Sequence, residues 1–136
     1  MPSAIRIAEA VVDELLKQAR ADSGRECCGL LGGTEGLISR AYPAANASPN
    51  PATSYEIAPT DLFRLMREIR VAGLSLLGIY HSHPNGMNEP SRNDLQRATY
   101  PDAAYFIISP SDTAPRPVRA FSIHDGIATE VEILRW

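Results

Sequence analysis

The sequence predicts a single α/β (α+β) domain, in which a mostly antiparallel mixed sheet is flanked by about three helices. Its 136 residues suit one compact domain, expected to span residues 1–136, and 44% of them are apolar. Stretches with helical hydrophobic spacing alternate with short apolar runs of strand length. The Asp-Gly pair at positions 125 and 126, between two such runs, is a strong hairpin signal.

Three segments are predicted to be helical. Residues 7–19 place their apolar side chains on one face of an amphipathic helix. Thr60 is a suitable N-cap for a helix over residues 61–72, which Gly73 closes. The third predicted helix covers residues 91–99, after a polar loop that contains Gly and Pro. All three are expected to pack on the sheet.

Short apolar runs bounded by turn residues predict the strands. Residues 27–31 and 37–42 are expected to form a hairpin, and residues 74–80 a buried strand that runs directly into His81. Such a strand holds the residues that follow it on a rigid support, as a catalytic site requires. The remaining predicted strands are 55–57, 105–109, 118–124 and 127–134.

The composition excludes several kinds of partner. A net charge of −3 and a pI near 5.6, without a cluster of Lys and Arg, argue against nucleic acid. The longest mostly apolar run, residues 71–80, is far shorter than the roughly 20 residues that cross a bilayer. No secretory signal is visible, and the adjacent Cys27 and Cys28 suit reduced thiols. We therefore expect a cytoplasmic protein without a membrane partner.

His81 and His83 are the first candidate ligands. Residues i and i+2 of a strand point to the same side, so both imidazoles converge on one ion if the strand continues through them. Neutral imidazole is the commonest metal ligand in proteins. Pairs of this kind also occur in surface loops that bind no metal, so the pair alone leaves both interpretations open.

Asp94 has two interpretations that the sequence leaves open. Ser91-x-x-Asp94 before a helical run is typical of an N-capping box. The carboxylate is also suited to be a third ligand, because two imidazoles and one carboxylate leave the fourth tetrahedral position of a zinc ion open, as in catalytic sites. The hydroxyl of Ser91 would then be available to donate a hydrogen bond to a developing oxyanion.

Glu26 is the candidate general base, because a carboxylate beside the ion can take a proton from water. Its alternative interpretation is an exposed charge at the start of a strand. Three other residues are weaker candidates for the site. His124 is expected to be an uninvolved hairpin residue, Glu89 is a poorer ligand than Asp94, and Cys28 either lines the pocket or packs as a small apolar residue.

These residues together resemble the signature of the JAMM (MPN+) zinc metallopeptidases. That signature is an upstream Glu, then His-x-His, seven residues, Ser, two residues and Asp. Residues 84–90 supply the seven and residues 92–93 the two, without adjustment. The segment 26–32 also looks like the surroundings of that family's catalytic Glu, and the order of elements is similar from about residue 5 to the C-terminus. The matching positions are Glu26, His81, His83, Ser91 and Asp94.

The resemblance implies a zinc peptidase or isopeptidase that cuts after the Gly-Gly tail of ubiquitin-like proteins. By position it implies Zn²⁺ bound by His81, His83 and Asp94, with Glu26 as base and Ser91 as oxyanion donor. Eukaryotic deubiquitinating members carry an insertion after the ligand Asp, and here only ten residues precede Tyr105. The chain therefore looks like the compact prokaryotic members, whose substrates are sulfur-carrier proteins of the ubiquitin fold.

Some hypotheses concern binding rather than chemistry. Residues 43–53 are a loop that would help to hold an extended tail, and residues 55–57 would pair with the tail as an added strand. Leu134 and Trp136 would pack internally or against a second copy, which allows a homodimer. Two alternatives to the peptidase are a non-catalytic scaffold of the same fold and a role in DNA repair, which the acidic pI disfavours.

Overall fold

The computed structural model describes residues 3–136 and places seven strands and three helices in them. In chain order these are β1 (Ala4–Ile7), α1 (Glu9–Ala21), β2 (Cys28–Thr34), β3 (Leu37–Ala44), α2 (Pro59–Val71), β4 (Ser75–Ser82), α3 (Arg92–Arg97), β5 (Ala104–Ile108), β6 (Val118–His124) and β7 (Ile127–Arg135). The predicted mixed α+β fold with three helices is confirmed.

The strands form one sheet in the order β1-β3-β2-β4-β5-β6-β7, which closes because β1 pairs with both β3 and β7. Four neighbouring pairs are antiparallel: β2 with β3 and β4, and β6 with β5 and β7. The two pairs of β1 and the pair β4–β5 are parallel. The sheet is therefore mixed and mostly antiparallel, as predicted, and its closure is an additional finding.

Both predicted hairpins turn through residues with positive φ. Glu35 and Gly36 join β2 to β3 with φ of 51° and 75°, and Asp125 and Gly126 join β6 to β7 with φ of 52° and 77°. Two consecutive left-handed residues match the twist of the strands that they connect, and Gly or Asp accepts this conformation at low cost. The Asp-Gly signal in the sequence thus marked a real turn.

Three local predictions are wrong, each for a physical reason. Ile7, the first residue of the predicted helix, is instead the last residue of strand β1, where Ile5 and Ile7 are buried at every second position. Helix α2 begins at Pro59 after Ala58, so Thr60 lies inside the helix and is not its N-cap; proline suits the first turn because that turn leaves its N–H groups unpaired. Residues 55–57 lie outside the sheet, because the backbone of Glu56 bonds to Asn46 and Ala47 of the preceding loop and not to a neighbouring strand.

Apolar side chains pack on both faces of the sheet. One cluster joins α1 to residues such as Leu31, Tyr80 and Phe106, and the other joins α2 to residues such as Leu30 and Ile79. Consecutive residues of β2 and β4 thus enter opposite clusters, which is why these strands read as unbroken apolar runs. The central position of β4, between β2 and β5, gives its C-terminal end a rigid support.

Two features of the structure concern the predicted homodimer and the predicted absence of a membrane partner. Leu134 and Trp136 are 42% and 67% exposed, and the guanidinium of Arg6 lies 5.5 Å from the centre of the Trp136 ring. A homodimer through this surface stays a prediction. Within residues 3–136, no helix is long and apolar enough to cross a membrane.

Candidate metal centre

His81 and His83 converge at the end of β4. His81 lies within the strand, opposite Cys28 of β2 and Ile107 of β5, and His83 follows immediately after it. Their Nε2 atoms are 3.1 Å apart. The spacing of two along an extended chain therefore brings the imidazoles to one point, as predicted.

Asp94 reaches the same point from the first turn of α3. Its Oδ1 lies 3.2 Å from Nε2 of His81, and its Oδ2 lies 3.1 Å from Nε2 of His83. The carboxylate also closes a capping box, because the amide of Ser91 donates to Oδ2 at 2.9 Å and the amide of Asp94 donates to Oγ of Ser91 at 3.0 Å. The capping box is thus confirmed, and it aims the carboxylate at the histidines, so it is compatible with a ligand role for Asp94, which stays a prediction.

The donor atoms at this point suit a cation. Nδ1 of His83 lies against the carbonyl of Met87, which can only accept, so Nδ1 carries a proton and Nε2 is the nitrogen that would give up its proton and offer a lone pair to an ion. Ligands 2.0–2.1 Å from a tetrahedral zinc ion lie roughly 3.3 Å from one another. The three observed separations, 3.1 to 3.2 Å, fit a divalent ion held by these residues.

Burial and hydrogen bonding set the protonation of the three side chains. Desolvation lowers the pKa of the fully buried His81. Burial acts in the same direction on His83, but hydrogen bonds to Asp94 and to the Met87 carbonyl outweigh it and raise the pKa of that ring. Although burial opposes ionisation of Asp94 as well, hydrogen bonds from His81 and His83 hold its pKa well below the usual range. Asp94 is therefore a carboxylate at neutral pH.

Glu26 lies beside the histidines, just before β2. It is only 5% exposed, which overturns the alternative of a solvated charge at the start of a strand. One of its oxygens and one ring nitrogen of each histidine lie within 4.8 Å of one another, and Oε1 has no hydrogen-bond partner among residues 3–136. Desolvation raises the pKa of this carboxyl to about 7, so it exchanges protons near neutral pH.

Ser91 borders the same cleft as Glu26 and His83, a cavity of about 350 Å³. Its Oγ accepts the hydrogen bond from the Asp94 amide, and in the described part of the chain the hydroxyl proton has no acceptor. The proton is thus free to be donated to a group in the cleft. The cap and the hydrogen-bond donation are compatible because they use different parts of the hydroxyl.

Three other predicted candidates lie apart from the centre or pack as apolar residues. Glu89 points to Arg119, 3.6 Å away, and His124 is exposed at the end of β6. Cys28 is buried, and desolvation raises the pKa of its thiol to about 12, as expected for a small apolar residue. Both cysteines are free thiols.

Sequence reasoning missed three contributors to the site. The ring of Tyr55 stacks on His81, with centroids 4.5 Å apart and 21° between the planes. The carbonyl of Met87 orients His83, and the side chain of Asn46 donates a hydrogen bond to the carbonyl of Glu26. Nothing in the sequence singles out Tyr55 or Met87, because stacking and backbone acceptance require no particular motif. Asn46 lies in a loop whose only visible signal is its turn-forming composition.

The chain is similar to several known proteins. The family described as prokaryotic homologs of the JAB domain matches residues 8–124. A desampylase of Haloferax volcanii is 33% identical over an alignment of 114 residues that covers 79% of this chain and 82% of that protein. A CysO-cysteine peptidase of Mycobacterium tuberculosis is 35% identical over an alignment of 122 residues that covers 88% of this chain and 83% of that protein.

A solved structure extends this similarity to three dimensions. A protein of Desulfitobacterium hafniense, known from its solution structure, superimposes with a TM-score of 0.86 at 30% identity, over 97% of this chain and 92% of that one. The fold and the site together define a compact JAMM/MPN domain. The chain belongs to the family of prokaryotic JAB-domain homologs, which confirms the resemblance seen in its motif.

Proposed function

We propose that this chain is a zinc-dependent peptidase or isopeptidase that cuts after the C-terminal Gly-Gly tail of a ubiquitin-fold sulfur-carrier protein or its adduct. One observation carries the proposal: two imidazoles and a carboxylate converge within 3.2 Å, beside the buried carboxylate of Glu26, whose Oε1 has no hydrogen-bond partner within residues 3–136. The relatives named desampylase and CysO-cysteine peptidase support it. We further propose that residues 1–136 act as one domain, in the cytoplasm.

In this proposal His81, His83 and Asp94 hold the zinc ion. When bound, the ion supplies Lewis-acid chemistry, which makes water more acidic and polarises the substrate carbonyl. Glu26 accepts one proton from the attacking water at Oε1 and returns it to the leaving nitrogen. The carboxylate is thereby regenerated, and the products are a tail with a free carboxylate and a free amine.

Ser91 is proposed to stabilise the oxyanion with its free hydroxyl proton. Ser91→Ala is expected to lower kcat by about 10²–10³-fold, because removing one such donor typically costs about 2.7–4 kcal/mol in the transition state. Zinc should remain bound, since Ser91 supplies no ligand atom. Steady-state kinetics with the metal content of the same sample measure both effects. A variant with wild-type kcat would contradict the role.

The segment around Glu56 is proposed to bind the substrate tail. Glu56 is bonded through both backbone groups, its amide to Asn46 and its carbonyl to the amide of Ala47. The amides of Tyr55 and Ile57 on either side have no partner among residues 3–136. This alternation is typical of a strand edge, so an extended tail would add to it as a strand, although the free protein has no strand here. The Tyr55 carbonyl on the same side accepts a hydrogen bond from the Arg97 guanidinium at 3.3 Å, which the tail would share or displace.

This binding mode predicts which backbone amides of the substrate tail contribute to binding. In peptides that copy the tail, N-methylation of the amides that pair with the edge should weaken binding by about tenfold or more per site, because each removes a hydrogen bond and adds a steric clash. N-methylation of the alternate amides should have little effect. Inhibition constants for the two peptide series test this, and equal effects at all positions would rule the added strand out.

The whole proposal is tested with a ubiquitin-fold carrier extended by one cysteine after Gly-Gly. Mass spectrometry should show release of the cysteine by the zinc-loaded protein, loss of activity after chelation, and recovery on adding zinc. The scaffold alternative predicts that the carrier binds and stays intact. Protein that binds no zinc would refute the metal centre, whereas zinc-loaded protein that cleaves neither this adduct nor an isopeptide conjugate would refute the activity.

A further inference from the structure

The side chain of Asn46 uses its full hydrogen-bonding capacity. Nδ2 donates to the carbonyls of Glu26 and Ser54, both at 3.0 Å. Oδ1 accepts from the amides of Ser48 at 2.9 Å and Glu56 at 3.1 Å. A primary amide offers two donors and two acceptor lone pairs, and all four are satisfied by backbone groups here. This side chain therefore fixes the backbone positions of its four partners relative to one another.

Glu26 depends on this loop for its position. The residue precedes β2, so its backbone lies outside the ladder of the sheet. Its carbonyl is held by Asn46, and its amide donates to the carbonyl of Pro51 at 2.7 Å. Oε1 of its own side chain has no partner among the described residues that would orient the carboxylate. The direction of the carboxylate is therefore set largely through its backbone.

We infer that Asn46 is a positioning residue that locks the backbone of Glu26 to the segment 54–56. The inference rests on the proposed roles of Glu26 as base and of this segment as the tail-binding edge. Through one amide group, the proton acceptor and the substrate-binding edge become a single rigid unit. The same segment carries Tyr55, whose ring stacks on His81, so the unit also touches the metal centre.

The expected effect follows from the precision that catalysis needs. Asn46→Ala frees the Glu26 carbonyl and loosens the loop, and a displacement of about 1 Å in a catalytic group can lower the rate about 10²-fold. We expect kcat to fall by about 10–100-fold, with zinc retained because Asn46 supplies no ligand. KM should rise as well, since Ser54 and Glu56 lose their common partner.

Two further variants distinguish an effect on the position of Glu26 from an effect on the loop alone. Asn46→Asp keeps the acceptor for the amides of Ser48 and Glu56 but places an oxygen against the carbonyls of Glu26 and Ser54, so kcat should fall as it does in the alanine variant. Ser48→Ala removes the Ser48–Ser54 hydroxyl contact and the hydrogen bond from the Asn50 amide to Oγ of Ser48, and it keeps both hydrogen bonds of the Glu26 backbone. It should therefore change KM but not kcat.

The test combines kinetics with a readout that needs no activity. Zinc content, kcat and KM are measured for the three variants, and Asn46→Ala is repeated in the Glu26→Gln background. There it should lower the residual kcat no further, because no base is left to position. Hydrogen exchange of the Glu26 and Cys27 amides should quicken in both Asn46 variants and not in Ser48→Ala.

Several outcomes would overturn the inference. These are an alanine variant whose kcat stays within about twofold of wild type, an equal loss of kcat in the Glu26→Gln background, or an equal loss of kcat in Ser48→Ala. Unchanged exchange at Glu26 would also overturn it. If the wild-type protein cleaves no carrier, the proposed function fails separately, and the exchange data still decide whether Asn46 holds Glu26.

Discussion

Glu26→Gln is expected to leave zinc bound and to lower kcat by about 10²–10⁴-fold, the range typical of losing a general base. The amide has almost the same shape as the carboxyl but cannot accept a proton from water. All three proposed ligands remain in place, so binding of the metal and of the substrate should be preserved. Kinetics on a carrier adduct, with elemental analysis of the same preparation, measure both quantities.

The same variant should change how the metal-free protein responds to pH. Burial raises the pKa of Glu26 from 4.5 to about 7, so the folded state binds a proton that the unfolded state has released between these values. The contribution of Glu26 to the free energy of unfolding therefore decreases as pH rises from 4.5 to about 7. Glu26→Gln should remove this part of the pH dependence. Thermal unfolding of the metal-free wild-type protein and of metal-free Glu26→Gln, measured across this pH range, tests the prediction.

Glu26→Asp is a useful control, because it keeps the carboxylate and shortens its reach. Partial activity in this variant, beside near-complete loss in Glu26→Gln, would show that proton acceptance is the property required. Full activity in Glu26→Gln would instead show that another group accepts the proton and that the assignment of the base is wrong.

His83→Ala is expected to abolish both zinc binding and turnover. The change removes one of three ligand atoms and also the contact that ties the Met87 carbonyl to the centre. Changes to groups that merely orient a ligand already weaken metal binding by about 10–100-fold, so loss of the ligand itself should exceed that range. Competition with a chelator of known affinity measures the loss.

His124→Ala is the matched control for this experiment. His124 is exposed at the end of β6, and its removal should leave zinc content and kcat unchanged. Zinc should also stabilise the wild-type protein against heat, by about 2.7 kcal/mol when free zinc is about 100 times Kd, and should have no such effect on His83→Ala. Stoichiometric zinc in His83→Ala at wild-type affinity would refute its role as a ligand.

Most of the candidate site followed from short-range patterns. The spacing of two between His81 and His83 placed both rings on one side of a strand, and the spacing of three between Ser91 and Asp94 predicted the capping box. Backbone geometry determines such relations within one or two turns of chain, so they can be predicted without knowledge of the fold. The seven residues between His83 and Ser91 could be interpreted only through the family resemblance.

The fold was predicted less completely. Helices and strands with long apolar patterns were found, and Asp125-Gly126 located the last hairpin. The strand Ala4–Ile7 has only four residues and adjoins a helical pattern, so its period of two was hidden. Its pairing with β3 and β7, which closes the sheet, joins segments from opposite ends of the chain and has no local signature.

The sequence by itself singled out the side chains that we propose as ligands and base, because these roles require particular residue types at particular spacings. Only the tertiary structure decided their environment: the burial of Glu26, the carbonyl of Met87 against His83, the ring of Tyr55 on His81 and the amide of Asn46. Most of these contacts join residues distant in the chain, often through backbone groups that every residue possesses. Apolar periodicity shows which face of an element is buried, but it does not show which distant residues meet there, so such contacts appear only in the tertiary structure.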